Sequence, residues 1–154
     1  MNIDEYWMKI AIEEALKAEK EGEVPVGAIL VEHEKIIAKA FNQPISKNDS
    51  TAHAEIQLIR AAGKKLGNYR LNGTTIYVTL EPCTMCLGAI VHARIKRIVY
   101  GAKDSKSGVC GSCAELHNAS FFNHEIQITG GVLGQECSRI LQSFFKTVRQ
   151  AKLV

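Results

Sequence analysis

His53-Ala54-Glu55 and Cys83-Thr84-Met85-Cys86 are the stretches of this sequence whose residue types and spacing could do chemistry. An imidazole and two thiolates are good zinc ligands, and three protein ligands leave the fourth tetrahedral position to a water. Zinc lowers the pKa of such a water toward about 7. Glu55 stands two residues from His53, where it suits proton transfer beside that water better than a fourth ligand position. Cys83 and Cys86 are three apart, which on a helix puts both sulfurs on one face. Near a helix N-terminus the dipole favours thiolate over thiol. A His-x-Glu pair alone is common, and a C-x-x-C alone can be two small buried side chains. The combination becomes specific when both clusters open helices that flank one strand.

A second metal reading uses the other cysteine pair. Cys83-x-x-Cys86 and Cys110-x-x-Cys113, separated by 23 residues, resemble the spacing of a four-cysteine structural zinc site. That reading leaves His53 and Glu55 idle, and it needs knuckle turns where Cys83 and Cys86 are expected to be helical. Otherwise Cys110 and Cys113 read as reduced thiols in a Gly/Ser loop, and Cys137 as a core residue of the last helix.

The elements that must position these groups follow from periodicity and turn chemistry. Trp7, Ile10, Ala11 and Ala15 recur at helical spacing, predicting an amphipathic helix from Tyr6 to about Lys20 that closes at Gly22. Val24–Val31 and Lys35–Phe41 read as a hairpin around Glu32-His33-Glu34, with Pro25 at the strand start. Asn42–Ser50 reads as a loop, and Thr51 to about Ala62 as a helix ending at Gly63. Thr74–Leu80 is β-branched and reads as a buried strand. Glu81-Pro82 breaks it, and Pro82 suits the first turn of a helix running to about Ala93. Arg97–Gly101 and Ile126–Thr129 are short strands, a short helix is expected near residue 115, and Gln135 to about Lys152 is a final helix. Strands separated by helices imply parallel pairing with helices on both faces, and the opening hairpin makes the sheet mixed. Both chemical clusters then fall at the edge where strands end, the usual place for a site in an open α/β sheet.

Composition bounds the function. A chain of 154 residues is expected to form one domain, 1–154. Its 46% hydrophobic and 23% charged content excludes a disordered chain, a collagen and a coiled-coil rod. No apolar run approaches the roughly 18 residues of a membrane span. The first residues are acidic and amphipathic, unlike a signal peptide. An odd cysteine count argues against a disulfide framework, so a cytoplasmic location is expected. Net charge is +3 but unevenly spread. Residues 1–55 carry six Lys/Arg and eleven Asp/Glu, whereas residues 56–154 carry thirteen and five. Such asymmetry hints at an anionic partner, although scatter over a solvated surface would look similar.

His53-Ala54-Glu55 with Pro82-Cys83-x-x-Cys86 resembles the signature of the zinc-dependent cytidine/deoxycytidylate deaminase superfamily. Glu23–Ala28, Asn42 with Pro44, Thr51–Glu55, Asn68–Leu71, Tyr77–Cys83, Tyr100–Asp104 and Phe144-Phe145 together resemble the bacterial tRNA-specific adenosine deaminases, from about Glu5 to about Arg149. Cys110 and Cys113 are not part of that pattern. The resemblance implies a three-layer α/β/α sandwich around a five-stranded mixed sheet and a cytoplasmic homodimer without membrane association. It implies hydrolytic deamination of adenosine to inosine at the wobble position of a tRNA anticodon, chiefly an arginine tRNA. His53, Cys83 and Cys86 would hold one Zn2+ per subunit, and Glu55 would shuttle protons. Asn42 and the Ala54 backbone would contact the flipped base, and Asp104, Lys106 and Phe145 would lie near the anticodon loop. A free-base or nucleoside deaminase remains the alternative substrate class, because the zinc cluster does not separate the two.

Overall fold

The computed structural model describes residues 2–152, so Met1, Leu153 and Val154 of the expected 1–154 domain lie outside the described residues. α1 (Ile3–Lys20) begins three residues before the expected Tyr6, because the Asn2 side chain caps it, accepting from the Glu5 N–H at 2.8 Å. Asp4 and Glu5 complement its first turn, and Trp7, Met8, Ala11, Ile12, Ala15 and Ala18 form its buried face.

The strands are β1 (Gly27–Glu32), β2 (Lys35–Phe41), β3 (Thr75–Leu80), β4 (Arg97–Ala102) and β5 (Gln127–Thr129). They form one five-stranded sheet in the order β2-β1-β3-β4-β5. β1 runs antiparallel to both β2 and β3, while β3, β4 and β5 are parallel. The sheet is mixed, as expected. β1 starts three residues later than the sequence suggested, at Gly27, whose N–H donates to the Thr79 hydroxyl at 3.1 Å. The hairpin turn places His33 and Glu34 at φ 49° and 61°, a primed geometry that Asn-Gly would announce and these residues do not.

Alternate strand residues face opposite layers. Ala28, Leu30, Ile76, Val78, Ile98 and Tyr100 join a core under α3 (Ala54–Leu66) and α4 (Thr84–His92). Ile29, Val31, Tyr77 and Val99 join a second core under α1 and α5 (Gly134–Lys152). This is a three-layer α/β/α sandwich. β1, β3 and β4 are covered on both faces, which is why they read as nearly continuous apolar runs.

Further differences from the sequence reading lie at helix ends and in loops. α3 begins at Ala54, runs through Gly63 and ends at Gly67, which takes φ 64° as the cap. A mid-helix glycine costs only about 1 kcal/mol, so Gly63 does not stop a helix that is packed on one side. Pro82 lies outside α4, because Cys83 is the N-cap and Thr84 the first helical residue. The Asn42–Ser50 loop holds one helical turn, α2 (Pro44–Lys47). The expected short helix near residue 115 is a single 3-10 turn, Leu116–Asn118.

Candidate active site

Two helix N-termini meet beside the end of β3. His53 is the N-cap of α3 and Cys83 the N-cap of α4, each with extended backbone, and Cys86 follows in the first turn of α4. His53 Nδ1 lies 3.7 Å from Cys83 Sγ and 3.4 Å from Cys86 Sγ. Zn–S bonds of about 2.3 Å and Zn–N bonds of about 2.0–2.1 Å at a tetrahedral angle would separate N from S by about 3.6 Å. The three donors therefore fit one zinc ion without rearrangement. They are the single His/Cys/Asp/Glu group of metal-binding geometry among the described residues.

Their protonation agrees with that use. The hydrogen bond from Cys86 pulls the Cys83 thiol down to about 4, and the same bond pushes Cys86 up. The pair holds a proton that a divalent cation would displace. The Cys83 contact raises His53 against the opposing effect of burial. Glu55, in the first turn of α3 and 4% exposed, does not join the ligand group. Burial pushes its carboxyl up to about 7. A carboxylate in that range can both take and give a proton near neutral pH.

His53, Glu55 and Cys83 line a cavity of about 250 Å³ together with Asn42, Asp104, Leu80, Glu81, Ser107, Val24 and Val26. Of the residues anticipated from sequence, Cys86 is fully buried and Ala54 is buried in the first turn of α3, neither of them lining the cavity. Lys106 and Phe145 lie outside it, in an adjoining groove of about 560 Å³ between the 102–107 segment and α5. Asp104, Ser107, Leu80 and Val24 line both spaces, so the two are neighbours. Phe145 is 43% exposed, whereas Phe144 is half-buried. Cys110 is buried and Cys113 exposed, with the Cys113 thiol 3.1 Å from the Ser105 carbonyl. Neither joins the metal group, which sets aside the four-cysteine site.

Sequence reasoning gave no role to two buried acids beside the cavity. Glu23, 1% exposed, accepts from the Ile45 and Ser46 N–H groups at 3.1 and 2.7 Å, fixing the segment after Asn42. Glu81, 2% exposed, accepts from the 104–112 loop. The available signal was a carboxylate set between Leu80 and Pro82, at the end of a strand otherwise buried.

Known proteins resemble this arrangement throughout. Residues 1–102 match the family model of the cytidine and deoxycytidylate deaminase zinc-binding region. The chain is 48% identical over 152 residues to the tRNA-specific adenosine deaminase of Bacillus subtilis (strain 168), covering 99% of this chain and 94% of that one. With the enzyme of the same description from Haemophilus influenzae it shares 49% over 152 residues, covering 98% and 88%. A structure from a study of A-to-I editing by tRNA:A34 deaminases at the wobble position of transfer RNA superposes with a TM-score of 0.86 at 43% identity, over 88% of this chain and 99% of that one. A guanine deaminase from Nitrosomonas europaea superposes at 0.77 with 22% identity, which shows a shared fold. With the ligand group inside the matched region and the likeness running along nearly the whole chain, this protein belongs to the tRNA-specific adenosine deaminase family of the zinc-binding cytidine and deoxycytidylate deaminases.

Proposed function

We propose that the chain acts as one deaminase domain that converts adenosine to inosine at the wobble position of a tRNA anticodon, chiefly that of an arginine tRNA. One observation carries the choice of an RNA substrate. The cavity lined by Glu55 and the metal donors His53 and Cys83 shares Asp104 and Ser107 with a neighbouring groove lined by Lys103, Lys106 and Phe145. Arg149 extends the same surface. Cations for phosphates and an exposed ring for stacking are what a single-stranded loop requires. The names of the similar proteins support the same substrate.

His53, Cys83 and Cys86 would hold the zinc. When bound, zinc supplies a Lewis acid that makes a water acidic enough to deprotonate near neutral pH. Glu55 accepts that water's proton and passes it to N1 of adenine, which makes C6 a better electrophile for the added oxygen. It then takes the remaining proton from the added hydroxyl, which becomes the C6 carbonyl, and delivers that proton to the exocyclic amine as the C6–N bond breaks. Adenosine and water become inosine and ammonia. Asn42, 9% exposed in the cavity wall, supplies an amide to the base edge. The Ala54 backbone, in the first turn of α3, is assigned to the same base. Asp104, Lys106 and Phe145 hold the neighbouring nucleotides. An anticodon base is already unpaired, so splaying it outward needs little energy. We assign the working unit as a cytoplasmic homodimer, to be checked by light scattering.

The test is incubation with an anticodon stem-loop bearing a wobble adenosine, with an arginine-tRNA loop and unrelated loops in parallel. Inosine is expected, chiefly in the arginine loop. Turnover of free adenosine, guanine or cytidine with an unchanged stem-loop would overturn the reading.

A further inference from the structure

We propose that Glu81 is a positioning residue for RNA binding, its carboxylate serving as the post around which the substrate-side rim of the cavity is wound. The inference rests on the RNA reading above. Glu81 stands between the last residue of β3 and Pro82-Cys83, and its own N–H continues the sheet by donating to the Ala102 carbonyl at 2.9 Å. Its Oε1 accepts from the Asp104 N–H at 3.1 Å and from the Ser112 hydroxyl. Its Oε2 accepts from the Cys110 and Ser112 N–H groups at 2.9 and 3.0 Å.

One buried carboxylate thus closes the loop at both ends. Gly108 packs so closely on the Glu81 carboxyl carbon and the Asp104 carbonyl that a Cβ there would collide with both. The Val109 N–H donates to the Pro82 carbonyl at 3.1 Å, tying the loop's middle to the residue before Cys83. Asp104 in turn accepts from the Lys106 and Ser107 N–H groups at 3.0 and 3.1 Å. The path runs from Glu81 through the Asp104 backbone to the residues at the mouth of the groove. Burial opposes the charge on Glu81, but its hydrogen bonds prevail and keep the carboxyl below its ordinary range.

Glu81→Gln separates this role from zinc binding. A glutamine can keep its oxygen on the Cys110 and Ser112 N–H groups and donate to the Ser112 hydroxyl. It then points an N–H at the Asp104 N–H, so the Asp104 arm is lost first. The expected result is full zinc content, kcat within about threefold of wild type, and a KM for the wobble-adenosine stem-loop raised on the order of tenfold. Amide exchange at Asp104 should accelerate by a similar factor while Leu87 in α4, whose N–H donates to the Cys83 carbonyl, stays protected. Should Glu81→Gln fail to fold, Ser112→Ala removes one donor from the exposed end of the loop, and KM should rise about two- to threefold with kcat unchanged. An unchanged KM, or a loss of zinc or kcat at constant KM, would overturn the proposal. Exchange at Asp104 as slow as in wild type would overturn it whatever the substrate. A wild-type protein inactive on the stem-loop would instead overturn the substrate reading.

Discussion

Glu55 occupies the second helical position of α3, where a free backbone N–H cluster would favour its charge and burial disfavours it. Its removal tests proton transfer apart from metal binding. Glu55→Gln keeps the volume and should keep one zinc per chain by elemental analysis. General acid–base groups contribute about 10²–10⁴-fold, so turnover of the stem-loop should fall by at least that factor. Loss of the metal, or a rate near wild type, would remove Glu55 from the role proposed. His53, Cys83 and Glu55 stood out in the sequence because their types and spacing are unusual in combination. Glu81 and Glu23 did not, because a single carboxylate next to an apolar run looks like a strand end. Its worth lies in backbone donors more than twenty residues away.

At the scale of elements, the site depends on how closely helices approach the sheet. α1 lies directly over Gly27, where a Cβ would meet the Ala11 carbonyl oxygen and the Ala15 nitrogen. These are backbone atoms and cannot rotate aside. Gly27→Ala should therefore lower the urea midpoint, by roughly 1–3 kcal/mol or more in stability as for other overpacked sites. An unchanged midpoint would contradict that packing. In sequence, Gly27 looked like an ordinary strand residue within Val24–Val31, because nothing local reports what lies above a strand. α5 offers the complementary case. It presents Phe145 to the groove while Phe144, T-shaped against it at 5.5 Å between ring centroids, is half-buried. Base stacking contributes about 1–3 kcal/mol, so Phe145→Ala should weaken stem-loop binding roughly 5- to 150-fold and leave zinc intact. Lys106→Ala should reduce the salt dependence of binding by about one counterion. Binding unchanged in both variants would move the RNA off this groove.

Across the whole molecule, α1 is fastened to the sheet by one ionic group. Arg97 of β4 donates to both Asp4 carboxylate oxygens, at 3.0 and 2.7 Å, and to the Thr129 hydroxyl of β5 at 3.0 Å. The Tyr77 hydroxyl of β3 donates to Asp4 at 2.9 Å. The Arg97 hydrogen bond holds the Asp4 carboxyl below its ordinary value despite burial. A depressed carboxyl contributes stability that is fully present above the unfolded-state value, about 3.9, and is lost as pH falls through the folded one. Urea midpoints measured from neutral pH into the acid range should fall less steeply in Asp4→Asn than in wild type, with the variant less stable at pH 7. Parallel curves would show that this bridge contributes nothing to acid lability.

The sequence by itself determined the four long helices, most strands, the mixed sheet and the residue types of the metal group. Periodicity, capping and side-chain chemistry are local properties. His53 had no local tie to Cys83, 30 residues away, yet the two lie 3.7 Å apart. Only the stacking of α3 and α4 on one face of the sheet brings them together. The antiparallel pairing of β1 with β3 was likewise not legible, since strand order is set by which faces bury best together. Gly63 and Pro82 misled at helix ends because packing overrode a weak propensity in one case and the chain needed an extended Cys83 cap in the other. The late-chain surplus of positive charge was legible as a number. Its placement in Lys103, Lys106 and Arg149 around a groove that neighbours the metal cavity was decided by tertiary structure, because charge has no address until the backbone gives it one.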